Sequence, residues 1–138
     1  MIICKKMHNI KNFKPRRYQE TILNTCTNKN TLVVLPTGLG KTKIAILTAI
    51  TRLNQYPDSK ILFLTPTKPL ANQIYEEFKE STNVSEISLF TGAVPPKKRK
   101  ELYETAKIII STPQGIENDI INNSIDIKKI SLLAIDEA

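Results

Sequence analysis

Tryptophan is absent from this 138-residue chain, histidine occurs once, cysteine and methionine twice each, and glycine four times. The two cysteines, Cys4 and Cys26, lack metal-ligand spacing and form no disulfide framework, so reduced, structurally incidental thiols are expected. His8 is a lone histidine in a polar lead-in and is given no role. No run of about 18 apolar residues occurs and the N-terminus has no signal-peptide core, which points to a soluble cytoplasmic protein without membrane contact. No repeat or low-complexity linker divides the chain, and its length suits one domain with a real core. Acidic residues are also in short supply: 13 against 20 Lys+Arg, for a net charge of +7. That balance suits a polyanionic partner such as nucleic acid, although 16 of the 20 cations are lysine and lysine-rich composition also arises from genome bias.

What is present is concentrated between Thr31 and Leu53. Leu32 to Leu35 form a short apolar run of the kind that fills a strand buried on both faces of a parallel sheet. Pro36 ends it. The loop Thr37-Gly38-Leu39-Gly40 can curl so that consecutive N–H groups point at one anion. Lys41 then offers an ammonium to the outer phosphates of a nucleotide, and Thr42 a hydroxyl that can ligate Mg²⁺. The helix that follows, with Ile44, Ala45, Leu47 and Ile50 toward the sheet, aims its positive N-terminal end at the same phosphates. The strict phosphate-loop pattern has glycine where Leu35 stands, but the flanking strand and helix supply the context the motif requires.

The remaining chain alternates. Residues 1–12 form a lead-in without clear periodicity. Pro15 opens a helix over residues 16–27, with Tyr18, Ile22, Leu23 and Cys26 on one face. A strand over 60–65 leads to a helix over 70–80 presenting Leu70, Ile74 and Phe78. A weaker strand over 87–90 precedes Pro95, Pro96 and a helix over 97–105. Its first turn carries the basic run Lys97 to Lys100, read either as a solvated helix end or as a phosphate contact. Strands over 107–111 and 130–136 flank a short helix over 115–122. Five strands alternating with helices predict an α/β fold, a parallel sheet covered on both faces. In such a sheet ligands collect at the carboxyl ends of the strands. The phosphate loop, Thr67-Lys68, Thr91-Gly92, Ser111-Thr112 and Asp136-Glu137 all fall at that edge. An acidic pair capping a strand is common, but beside Lys41-Thr42 one carboxylate can hold Mg²⁺ and the other can orient or deprotonate the attacking water.

With these residues in place the chain resembles the N-terminal part of the first RecA-like domain of a superfamily 2 DEAD/DEAH-type helicase, within it the archaeal Hef and Fanconi anaemia M-type helicases. Leu35 to Thr42 is similar to motif I and Asp136-Glu137-Ala138 to the opening of motif II. The resemblance implies ATP and Mg²⁺ as cofactors. It implies nucleotide contacts from Leu35, Pro36, Thr37, Gly38, Leu39, Gly40, Lys41 and Thr42, metal contacts from Thr42 and Asp136, and catalytic roles for Lys41, Asp136 and Glu137. Arg16-Arg17-Tyr18-Gln19 resembles an adenine-recognising segment, with Gln19 reading the base and Arg16 in support. Thr67, Lys68, Thr91, Gly92 and Thr112 would grip a nucleic-acid backbone, DNA rather than RNA, without reading sequence. The implied activity is that of an ATP-dependent DNA helicase or translocase in repair or fork processing. The alternatives are an RNA helicase or RNA-activated ATPase, and a non-catalytic nucleic-acid-binding fragment. Residues 13–138 would be the N-terminal portion of the ATP-binding domain, ending within motif II. The second RecA-like domain with its arginine fingers would be a missing partner, so these residues alone would bind nucleotide and hydrolyse it poorly. In the family another strand lies between the motif I and motif II strands.

Overall fold

The computed structural model describes residues 8–34, 40–90, 94–123 and 125–136. Two helices lead, α1 (Arg17–Asn28) and α2 (Lys41–Gln55). Then β1 (Lys60–Leu64), α3 (Lys68–Ser81), β2 (Ile87–Phe90), α4 (Pro96–Thr105), β3 (Ile108–Ser111) and α5 (Pro113–Ile121) alternate, and a 3₁₀ turn at Ile127–Lys129 enters β4 (Ile130–Ile135). The strands form one parallel sheet in the order β2-β3-β1-β4.

Strand alternation sorts the core into two layers, because successive side chains point to opposite faces. Ile61, Phe63, Ile108 and Ile110 pack with Ile46, Ala49, Ile50 and Leu53 of α2 and Ala71, Ile74 and Phe78 of α3. Leu62 and Ile109 point the other way, where they meet Phe90, Tyr103 and Ala106 of the α4 side and Ile116 of α5. The sheet is therefore covered on both faces, as expected. The buried side of α2 is broader than the anticipated Ile44, Ala45, Leu47 and Ile50. Ile46, Ala49 and Leu53 are buried too, and with Ile50 they form the stripe that meets β1, β3 and α3, while α1 packs on α2 as well.

One expected strand is not formed. Residues 31–34 are not in a strand, and Leu32 and Val34 are 83% and 80% exposed. A strand exists only where a neighbour supplies its ladder. Here a cleft of about 1000 Å³ separates Thr31–Val34 from the outer edge of β4, floored by Ile44, Ala45 and Thr48 of α2. The resemblance sets another strand at this position, and none of the described residues fills it. Leu133 and Ile135 on the β4 side stand 53% and 56% exposed for the same reason. The expected five-stranded sheet thus has four strands among the described residues.

The lead-in is docked from residue 8 onward. Ile10 bridges Thr82, Lys11 N–H donates to Ser81 O at 2.7 Å, and the Asn12 side chain donates to Glu80 O at 2.6 Å. Lys43 Nζ lies 4.6 Å from the Phe13 ring centroid and 2.8 Å from Ser81 Oγ, joining lead-in, α2 and α3 at one point.

Candidate nucleotide and nucleic-acid site

The carboxyl edge of the sheet is laced beyond the strands themselves. Thr65 N–H donates to Ser111 O and Asp136 N–H donates to Leu64 O, each at 3.0 Å. This extends the ladder so that the exits of β3, β1 and β4 lie in one row. Lys41 and Thr42, in the first turn of α2, line the same large cleft as Asp136. An ammonium, a hydroxyl and a carboxylate, separated by about 95 residues of sequence, therefore border one space, the slot between Thr31–Val34 and β4. The oxygens of Thr42 and Asp136 are hard donors that suit Mg²⁺, an ion that takes few protein ligands and shares phosphate oxygens. Leu35, Pro36, Thr37, Gly38 and Leu39 of the phosphate loop, Thr91 and Gly92 after β2, and Glu137 with Ala138 after Asp136 lie outside the described residues, as does Cys4.

Gly40 begins α2 at φ +78°, the left-handed region, and its carbonyl accepts from Ile44 N–H at 3.3 Å. The same carbonyl accepts from Gln19 Nε2 at 3.4 Å, while Gln19 Oε1 accepts from Arg16 N–H at 2.9 Å. Gln19 is the buried residue of α1. It thereby ties the start of α1 to the end of the phosphate loop. Arg16 is exposed, and its guanidinium reaches Tyr18 Oη at 3.4 Å. A methyl group on Gly40 would stand 2.6 Å from Gln19 Nε2. We expect Gly40→Ala to add a left-handed backbone cost of about 1–2 kcal/mol and to displace Gln19 from its contact. Nucleotide affinity should fall while the far-ultraviolet circular dichroism stays unchanged; equal affinity would show that the Gln19–Gly40 contact does not shape the loop.

The other edge residues sit at helix starts. Thr67 precedes α3 and its hydroxyl accepts from Leu70 N–H at 3.4 Å; Lys68 is the first residue of that helix and is exposed. Thr112 precedes α5, is buried, and its hydroxyl accepts from Gly115 N–H at 3.2 Å. The Thr112 side chain is thus engaged as a helix cap, which turns the N-terminal amides of α5 rather than its own hydroxyl toward the edge. Gly115 makes the close approach possible, since a Cβ there would lie 2.9 Å from Ser111 Oγ and 3.0 Å from Phe90 O. Helices α3 and α5, on opposite faces of the sheet, both direct positive N-terminal ends to the one edge.

The basic run of α4 divides between solvent and core. Lys97, Lys98 and Lys100 are exposed, but Arg99 is buried against Asp119 of α5, Nε to Oδ2 at 2.9 Å and Nη2 donating to Oδ1 at 3.1 Å. The signal was present in the spacing: Arg99, Tyr103 and Ala106 recur at four and three residues, which puts Arg99 on the inward stripe.

Comparison with known proteins agrees with this geometry. The family model for DEAD/DEAH box helicases matches residues 16–138. The chain belongs to the DEAD/DEAH box helicase family. A Methanocaldococcus jannaschii protein, assigned by name to the ATP-dependent RNA helicases, is 47% identical over 130 residues, covering 93% of this chain and 17% of that protein. The DEAD-box ATP-dependent DNA helicase Fancm of Drosophila melanogaster is 40% identical over 133 residues, 92% of this chain and 9% of its own length. Among solved structures, the Pyrococcus furiosus Hef helicase domain is similar at a TM-score of 0.85 and 44% identity, over 89% of this chain and 26% of that one. The chain thus spans under a fifth of these curated relatives, and its fold is that of a RecA-like helicase domain. No helix among the described residues is long and apolar enough to cross a membrane.

Proposed function

We propose that this chain is the nucleotide-binding core of an ATP-dependent DNA helicase or translocase that works in repair or fork processing in the cytoplasm. The observation that carries the reading is the convergence of Lys41, Thr42 and Asp136 on one cleft in a DEAD/DEAH-family domain. Lys41 neutralises the outer phosphates, and Thr42 and Asp136 hold Mg²⁺, which when bound offsets charge developing on the transferred phosphoryl group. Glu137 orients the attacking water. Gln19 retains one amide N–H and one lone pair beyond its two protein contacts, and these read the adenine edge, with Arg16 beside it. Thr67, Lys68, Thr91, Gly92 and the α5 amides behind Thr112 grip the backbone of one strand. Because grip and phosphate site share one sheet edge, hydrolysis is coupled to nucleic-acid binding. ATP turnover that is the same with and without nucleic acid would count against this.

A second reading, an RNA-dependent enzyme, is favoured by the name of the Methanocaldococcus relative. Backbone contacts do not by themselves distinguish sugars, so stimulation of ATPase activity by matched DNA and RNA strands decides between the two. Lys68→Ala should weaken single-strand binding about equally across sequences and lower the log–log salt slope by roughly 0.7. Titrations at several salt concentrations measure this, and an unchanged slope would leave Lys68 as a solvated lysine.

A further inference from the structure

The amino edge of the sheet holds a second concavity. A cleft of about 510 Å³ is walled by the end of α2, the turn after it, and the entry to β4. It adjoins the far end of the larger cleft, with which it shares Arg52 and Ser131, but lies away from Lys41: α2 runs from Lys41 at one edge to Gln55 at the other, a rise of about 20 Å. Arg52 is fixed in its wall, with Nε donating to Ser131 O at 3.1 Å and the guanidinium carbon 5.1 Å from the Tyr56 ring centroid. The Tyr56 ring stays 53% exposed. Lys128 and Lys129 line the cleft and are exposed, and Lys107 Nζ donates to Pro57 O on its rim at 2.9 Å. The hydroxyls of Ser59 and Ser131 meet at 2.7 Å between them.

The charges here are only partly compensated. Among the described lining residues Asp58 is the one carboxylate, against Arg52, Lys128 and Lys129. Asp126 is turned back to accept from Lys128 N–H at 3.0 Å. The C-terminal end of α2 carries partial negative charge, which Arg52 in its last turn offsets. Behind the cleft the Lys60 ammonium is buried over the Tyr103 ring and bonded to Glu104 O and Ala106 O. Burial first, then Lys129 and Lys107, lower its pKa below the usual lysine range, with Glu104 acting the other way. Several cations thus crowd one concavity, and an anion there relieves their repulsion. An acidic peptide would satisfy the lysines alone. An exposed aromatic ring held beside a fixed guanidinium adds a stacking platform, the combination that single-stranded nucleic acids use.

We infer that this cleft is a second nucleic-acid contact, taking a phosphate between Arg52, Lys128 and Lys129 and the adjoining base against Tyr56. It is independent of the grip at the carboxyl edge, and the two would hold strand segments at opposite ends of the domain. The test uses this chain and a fluorescein-labelled oligothymidylate of about 15 nucleotides, titrated at several salt concentrations. Lys128→Ala/Lys129→Ala should lower the log–log salt slope by about 1.4. Tyr56→Leu should weaken binding roughly 5- to 150-fold with little change in slope. All three side chains are exposed, so circular dichroism should match the parent. Crosslinking of an iodouracil-substituted strand at Tyr56 is expected as well. Parental affinity and slope in both groove variants would overturn the site, and displacement of the strand by polyglutamate at equal charge would reassign it to an acidic peptide. Lys68→Ala separates the two readings: a groove loss with no Lys68 effect sinks the carboxyl-edge grip and keeps this site, and the converse sinks this site alone.

Discussion

Lys41→Ala should remove most of the affinity of this chain for MgATP while leaving it folded. Lys41 is exposed in the first turn of α2, lines the cleft beside Thr42 and Asp136, and belongs to neither core layer. Alanine is the better helix former there, so the substitution costs no helical stability. A hydrogen bond to a charged group is worth about 1.5–3 kcal/mol, which corresponds to a loss of roughly 10- to 150-fold in affinity. Turnover in a longer protein should fall further, because charge on the transferred phosphoryl group is stabilised by the same ammonium. Titration with a fluorescent ATP analogue, with thermal melts as the folding control, measures the effect. Thr42→Ala should instead erase the Mg²⁺-dependent part of binding. A folded Lys41→Ala chain that binds MgATP as tightly as the parent would move the nucleotide site elsewhere.

The parts of the fold that could be read in advance are those determined by local periodicity. The apolar runs at 60–65, 107–111 and 130–136 became β1, β3 and β4 within a residue, and the weaker run at 87–90 became β2. The run at 32–35 has the same composition, yet Leu32 and Val34 are exposed. An apolar run predicts a buried strand only when the chain also supplies its neighbour, and that condition is not written in the run. Side-chain partnerships across long separations were equally illegible. Gln19 was singled out for a nucleotide base, but its contact with Gly40 depends on how α1 packs against α2. Thr112 was placed at the correct edge, whereas its use as a cap depended on Gly115 approaching Ser111 and Phe90.

Arg99 gives the sharpest contrast, because a residue in a basic run that reads as a solvated helix end or a phosphate contact is expected to matter most for stability. Its guanidinium meets both oxygens of Asp119, and the two side chains are 10% and 4% exposed. Removing one partner leaves a buried charge without its counter-ion, at a cost of about 3–5 kcal/mol. Against a total stability of about 5–15 kcal/mol for a domain, that is about a fifth or more of what holds the chain folded. Arg99→Ala and Asp119→Ala should therefore each lower the melting temperature by roughly 10 °C or more. The pair itself contributes much less, since desolvation of both ions offsets most of their attraction. Arg99→Met/Asp119→Leu should be near neutral or stabilising relative to the parent. Lys97→Ala and Lys98→Ala, on the exposed side of the same turn, should shift stability by no more than about 0.5 kcal/mol. Salt should separate the two classes, because buried pairs are screened far less than surface charges. The pair also joins α4 to α5, whose N-terminus follows β3 at the carboxyl edge of the sheet. Loss of Asp119 should accordingly loosen α5 at temperatures well below global unfolding, visible as faster amide exchange at Gly115 and Ile116. Single variants as stable as the parent would show that the guanidinium and carboxylate reach water and that α4 and α5 are held by Tyr103, Ala106 and Ile116 alone.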